Sequence, residues 1–310
     1  TSDYLFSHHQ RIHQKEPFIL NRILTLLQKL ARLIPYKLLD KFYLSLDKPQ
    51  ILRTKNIQLI PPESNRRGGK HSYAEWAHVI GIFQTLFYHH LDKNAGNAIL
   101  DVGCGTGLLS IASSPFVQDG GKYVGIDVMK KDVEFCKSHY PPAHHEFIHF
   151  DINNPFYAPS QASEKIPWPL ENDRFDLVSA LSVWTHLNEE DSLFYLQEVH
   201  RVLKPEGKAI ITFFILDEIY QQSLEKRMNE TGRFHGTEQT RWIFDKPAYD
   251  SKEWFCPEWV KIPENAIGIT DHGFKEMTSK SGLTVKEHYQ GNWKEISGLY
   301  FQDVIVLEKS

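Results

Sequence analysis

The stretch that most constrains this chain is Ala98 to Ser110, AILDVGCGTGLLS. Ile99, Leu100 and Val102 form an apolar run that fits a buried strand, and Leu108, Leu109 and Ile111 resume at helical spacing. Between them stand Gly103, Gly105 and Gly107, at every second position. A strand, a tight turn and a helix start follow from that order. Glycine there admits positive φ and lets a ligand approach the main chain, with the helix N-terminus beyond offering unpaired N–H groups. The strand ends in an acid, Asp101, and the glycines run G-x-G-x-G. A phosphate-seating dinucleotide turn needs G-x-G-x-x-G instead, and a carboxylate at the turn repels phosphate. The ligand expected here is cationic or amino-bearing.

This segment resembles the first motif of the class I S-adenosylmethionine-dependent methyltransferases, whose methyl donor carries a sulfonium and an ammonium group. Further segments follow in that family's order over residues 97 to 216 and then 270 to 308. Lys122–Ile126 reads as a second strand ending in Asp127, Glu146–Phe150 as a third ending in Asp151 and Ile152, and RFDLVSA (Arg174–Ala180) as a fourth. The turn Lys204-Pro205-Glu206-Gly207 leads into an apolar strand, Lys208–Leu216, and Thr284–Tyr289 and Tyr300–Glu308 match the family's closing strand pair. The resemblance implies an α/β, Rossmann-like, seven-stranded, mostly parallel sheet with one antiparallel strand and helices on both faces. The donor, S-adenosyl-L-methionine, would lie across the carboxyl ends of the first strands and leave as S-adenosyl-L-homocysteine.

Site residues follow from the same resemblance. Asp101, Gly103, Gly105 and Gly107 would cradle the donor, Asp127 would accept from its ribose hydroxyls, Val128 would also contact it, and Asp151 with Ile152 would face its adenine. A helix N-cap is the alternative for Asp127, and a turn cap for Asp151. Tyr73, Glu75 and Trp76 sit at the start of a helix expected over His71–Leu91, where they would approach the methionine end or serve an aromatic-rich core. After the fourth strand comes LSVWTHL, in which Leu181 and Ser182 would line the donor pocket and Trp184 the acceptor. His186 is the best-placed base, since an imidazole accepts a proton near neutral pH; His272 and His235 are alternatives, and a loop-fixing role competes. Asn154, Pro155, Phe156 and Tyr157 imitate the N-P-P-Y box of amino-methyltransferases, but with one proline and after the third strand.

Two regions lie outside the motifs. Residues 1–70 read as an N-terminal helical extension or lid preceding a methyltransferase domain over 71–310. Within it Leu20, Ile23, Leu24, Leu27, Leu30 and Ile34 recur at helical spacing among Arg22, Lys29 and Arg32. That basic amphipathic face fits peripheral membrane contact, a homodimer, or packing on the core. Pro61–Lys70 reads as a turn-rich linker. Residues 217–270 form an insertion too irregular for a strand array, with Trp242, Phe244 and Trp254 expected to line an acceptor pocket or an oligomer contact.

Composition bounds the rest. A net charge of -4 and 24% charged residues argue against whole-surface nucleic-acid binding, and 41% hydrophobic residues over 310 positions can bury a full core. Cys104, Cys136 and Cys256 are too scattered for a zinc site, no metal is expected, and a cytoplasmic location is the simple reading. The expected function is metal-independent methyl transfer to a hydroxyl of a lipophilic small molecule, natural product or glycan. C-methylation of a quinone-like ring, or a donor-binding partner protein without transfer, are the alternatives.

Overall fold

The computed structural model describes residues 55–151 and 165–310, together with Leu38, Lys41 and Phe42. The expectations for most of residues 1–54, for Ile152 and for Asn154 to Tyr157 lie outside the described residues.

The described chain begins with a 3-10 turn, Lys55–Leu59, and then α1 (Tyr73–His90), whose N-cap Ser72 accepts from the Glu75 N–H at 3.1 Å. The order continues β1 (Ala98–Val102), α2 (Leu108–Ser113), β2 (Lys122–Asp127), α3 (Lys130–His139), β3 (His145–His149) and β4 (Phe175–Ala180). α4 (Glu189–Val202) is capped by Asn188, which accepts from the Asp191 N–H at 2.9 Å, and three acids in its first turn complement the helix dipole. β5 (Leu203–Phe213), β6 (Ile215–Leu216), α5 (Glu218–Leu224), β7 (Phe244–Pro247), β8 (Trp254–Pro257), β9 (Gly268–Thr270), α6 (Asp271–Ser281), β10 (Leu283–Tyr289) and β11 (Asp303–Lys309) complete the fold.

Seven strands form one sheet in the order β10-β11-β5-β4-β1-β2-β3. β11 runs antiparallel to both neighbours and the remaining pairs are parallel, as expected from the sequence. Successive residues alternate between two apolar layers. Ile99, Leu177, Val304 and Val306 pack in the layer that holds Phe83, Leu109 and Val133 of α1, α2 and α3. Leu100, Val178, Ile305 and Leu307 pack in the layer that holds Leu196 of α4 and Phe274 of α6. Burial on both faces explains why these strands read as near-continuous apolar runs.

Two local expectations are corrected. The Lys204–Gly207 turn does not precede the fifth strand but interrupts it: Phe175 pairs with Leu203 and Leu177 next pairs with Lys208, so the turn loops out as a bulge. Glu206 there takes φ +63°, and a Cβ on Gly207 would meet the carbonyl oxygens of Lys204 and Phe175. Residues 217–270 do contain strands. β6, β9, β8 and β7 form a second, four-stranded sheet around Phe214, Leu216, Tyr220, Phe244 and Trp293. Its strands are two to four residues long, too short for a period-two pattern to show.

A buried ion pair joins the two sheets. Asp303 and Lys294 are both fully buried, 2.8 Å apart, and Lys294 also reaches Asp217 at 2.8 Å and Gln290 at 2.6 Å. Asp303 accepts further hydrogen bonds from Ile215 N, Gly291 N and Trp293 Nε1 at 2.9 to 3.0 Å. Burial pushes its carboxyl up, but the His288 hydrogen bond and the Lys294 charge overcome this and hold it below the usual carboxylate range. Stability from this depressed pKa is present above the unfolded value and lost as pH falls through the folded one. Lys294→Met should lower the unfolding free energy by about 3–5 kcal/mol, because it leaves a buried charge without its cation. A urea titration measures this, and an unchanged midpoint would show that the remaining donors suffice.

Candidate active site

The glycine turn lies where β1 ends, and neighbouring strands hold it from below. Gly103 N and Cys104 N both donate to the Ile126 carbonyl, at 2.9 and 3.1 Å. Gly103, Gly105 and Gly107 all have positive φ, at 69°, 50° and 88°. Two of them are also sterically required: a Cβ on Gly103 would stand 2.5 Å from Val183 Cγ2, and one on Gly107 would overlap the Tyr140 ring. α2 beyond the turn has only six residues, so the turn itself is the cradle.

Asp127, the last residue of β2, ties the turn to its neighbour. Its Oδ2 accepts from Gly105 N and its Oδ1 from Met129 N, each at 2.7 Å. A carboxylate has about four lone-pair sites, so two backbone donors leave capacity for a vicinal diol. Burial raises the Asp127 pKa, and the Met129 and Gly105 N–H groups pull it back. Asp101 is differently placed. It is buried among Tyr123, whose hydroxyl donates to Oδ2 at 2.6 Å, and Ser179, whose hydroxyl lies 3.3 Å from Oδ1. Burial pushes its pKa up to about 7.

Above the turn opens a cavity of about 410 Å³, within the range of small-molecule sites. Asp101, Gly103, Gly105, Asp127, Val128, Leu181, Ser182, Trp184, His186 and Trp76 all line it. The structure thus gathers residues from β1, β2, the loop after β4 and α1 at one place.

Other expected site residues stand elsewhere. Asp151 is exposed and does not line the cavity; β3 ends at His149, one residue earlier than the sequence pattern implies, and Phe150 takes the lining position. Gly107 supports the turn from outside the lining. Tyr73 also stands outside it, its hydroxyl donating to the Ile57 carbonyl at 3.3 Å. Trp242 and Phe244 pack against Phe214, and Trp254 lies in the core beside α6, so none of the three lines the cavity. Aromatic rings packed against one another gain more than rings left facing water, which draws Trp242 and Phe244 to the second sheet's core and Trp254 to the core beside α6. His272 is exposed beside Glu253, and His235 sits between Thr237 Oγ1 at 2.9 Å and Glu295 Oε1 at 2.7 Å. Neither alternative base reaches the cavity.

His186 does reach it. Its Nδ1 stands 2.6 Å from the Glu264 carbonyl, which can only accept, so Nδ1 carries the proton and Nε2 the basic lone pair. Burial lowers the pKa of the ring, so it is neutral near pH 7. Glu264 is itself buried and receives the Tyr249 hydroxyl at 2.7 and 2.8 Å. The insertion therefore acts as a support for the His186 loop.

Several lining residues escaped the sequence reading. Arg67, Gly68 and Lys70 come from the expected linker, which folds across the cavity and is fastened by the Arg67–Asp132 ion pair at 2.9 Å. Lys165 and Trp168 come from the connection before β4, and Asp191 and Tyr195 from α4. The Asp191 and Tyr195 spacing of four residues, one helical turn, was the available signal.

Residues 100–211 match the sequence model of a family described as "Methyltransferase domain". Over those residues the chain is similar to methyltransferase domains. It is 31% identical over 113 residues to a ubiquinone biosynthesis O-methyltransferase of Pelagibacter ubique, covering 36% of this chain and 40% of that protein. It is 31% identical over 120 residues to a demethylmenaquinone methyltransferase of Oceanobacillus iheyensis, covering 39% and 45%. The matched segment thus spans less than half the length of these curated relatives. A solved S-adenosylmethionine-dependent methyltransferase of Mesorhizobium loti aligns at 15% identity over 73% of this chain and 96% of that one, with a TM-score of 0.49.

Asp127→Ala should weaken S-adenosylhomocysteine binding by ~10-fold or more, the usual cost of losing charged hydrogen bonds. Calorimetry reads this directly, and unaltered affinity would remove the carboxylate from ligand binding. The raised Asp101 pKa has a separate signature. Below the unfolded value both states hold the proton; between about 3.9 and 7 only the folded state does, so its stabilising effect is lost as pH rises. Wild type should lose stability relative to Asp101→Asn between pH 4 and 7, in thermal melts of both proteins.

Proposed function

We propose that the domain transfers a methyl group from S-adenosylmethionine to a hydroxyl of a lipophilic small molecule. The observation that carries this reading is one cavity shared by the glycine turn, Asp127, a neutral histidine and aromatic walls. When bound, S-adenosylmethionine supplies an electrophilic methyl group on a positively charged sulfur. Asp127 would hold the ribose hydroxyls and the Gly103–Gly105 backbone the methionine portion, and hydrogen bonds from the turn to Ile126 and Asp127 of β2 fix both in advance. Trp76, Phe150, Trp168 and Trp184 exclude water and present apolar surface to the acceptor. His186 Nε2 would take the proton that the attacking hydroxyl must lose, while Glu264 keeps the ring in the matching tautomer.

The relatives named ubiquinone biosynthesis O-methyltransferase support oxygen as the acceptor atom. Those named demethylmenaquinone methyltransferase favour a second reading, C-methylation of a quinone-like ring. Among the described residues no helix is long and apolar enough to cross a membrane, and the three cysteines are free and buried. A reducing compartment such as the cytoplasm fits those thiols.

Incubating the protein with S-adenosylmethionine and hydroxylated or quinol-type aromatic acceptors, then searching by mass spectrometry for products heavier by one methyl group, tests transfer and separates the two readings. His186→Ala should lower hydroxyl methylation by ~100-fold, the usual size of a general-base effect. Because burial lowers the imidazole pKa, wild-type turnover should persist below about pH 6.5, the ordinary histidine value, and decline only at more acid pH. Wild-type rates in the variant would return His186 to a structural role.

A further inference from the structure

Ser182 lines the cavity beside the glycine turn, yet it is a non-glycine residue with φ +61°. A left-handed serine persists only where its surroundings over-determine it. Three side chains do so, two of them from distant parts of the chain. Thr212 Oγ1, on β5, accepts from Ser182 N at 2.7 Å. Gln302 Nε2, beside β11, donates to Ser182 Oγ at 2.9 Å, and Thr185 Oγ1 lies 3.4 Å from that same oxygen. Gln302, Thr212 and Thr185 are all buried. The consequence reaches the cradle, because the next residue, Val183, occupies the space that a Cβ on Gly103 would need.

We propose that Gln302, 120 residues away in sequence, is a positioning residue for the donor site, holding the Leu181–His186 loop against the glycine turn through Ser182. Gln302 itself does not line the cavity. The amide fixes the strained serine, the serine fixes Val183, and Val183 closes the turn from above. The inference rests on the methyl-donor reading only for its ligand; the loop geometry stands without it.

The test uses the full chain with Gln302→Met, which keeps the side-chain volume and removes the amide, and with Ser182→Gly/Gln302→Met, in which glycine adopts positive φ without strain. Hydrogen exchange without ligand should show amides of residues 181–187 exchanging ~10-fold faster in Gln302→Met, with β1 and β2 unchanged; equal exchange in that loop overturns the proposal. S-adenosylhomocysteine affinity by calorimetry should fall ~10-fold in Gln302→Met and return to within ~3-fold of wild type in the double variant. A loss that glycine does not restore would mean that Gln302 acts by packing alone, and also overturns the proposal. Wild type that fails to bind S-adenosylhomocysteine would sink the donor reading, while the exchange experiment still decides the role of Gln302.

Discussion

The interaction on which the site depends is the Asp127 carboxylate bridging two backbone N–H groups, one from the glycine turn and one from Met129 at the N-cap of α3. Chain that turns at the end of a strand leaves backbone polar groups outside the sheet ladder, and each buried one costs free energy unless satisfied. Asp127 satisfies Gly105 and Met129 at once and still retains lone pairs facing the cavity. The same carboxylate therefore braces the turn and stands on the cavity wall.

Steric exclusion does the complementary work. Gly103 leaves room for Val183, and Gly107 leaves room for the Tyr140 ring, whose hydroxyl donates to the Thr106 and Gly107 carbonyls at 2.8 and 3.1 Å. The turn is thus clasped from two sides by side chains of elements that are not its sequence neighbours. A cradle built this way has its shape before any ligand arrives, which limits the ordering cost of binding.

The insertion contributes rigidity to the same site by an indirect route. Its second sheet hangs from β5 through β6, is anchored by Asp303 and Lys294, and delivers the Glu264 carbonyl to His186. The Thr185 carbonyl also accepts from Ile267 N at 2.8 Å, so the loop after β4 is held by the insertion on one side and by Gln302 on the other. Variation in such an insertion can shift the His186 loop without touching the cradle.

Local pattern alone determined the Ala98–Ser110 cradle and the acids near the ends of β1 and β2, Asp101 and Asp127, while the sheet with its antiparallel closing strand and the candidacy of His186 came from the resemblance. The cradle and the acids have short-range causes: glycine freedom, apolar periodicity and an acid at a strand's end. Asp151 stands outside the cavity because β3 ends at His149 and Phe150, the next residue, takes the lining position. Trp242, Phe244 and Trp254 were assigned to a pocket because composition cannot tell an aromatic core from an aromatic wall. Arg67, Lys70, Trp168 and Tyr195 were missed, and Ser182 was recognised without its strain, since their roles come from segments far apart in the chain. Only the tertiary structure could decide which buried surfaces those side chains meet, because contacts between distant segments leave no period in the sequence.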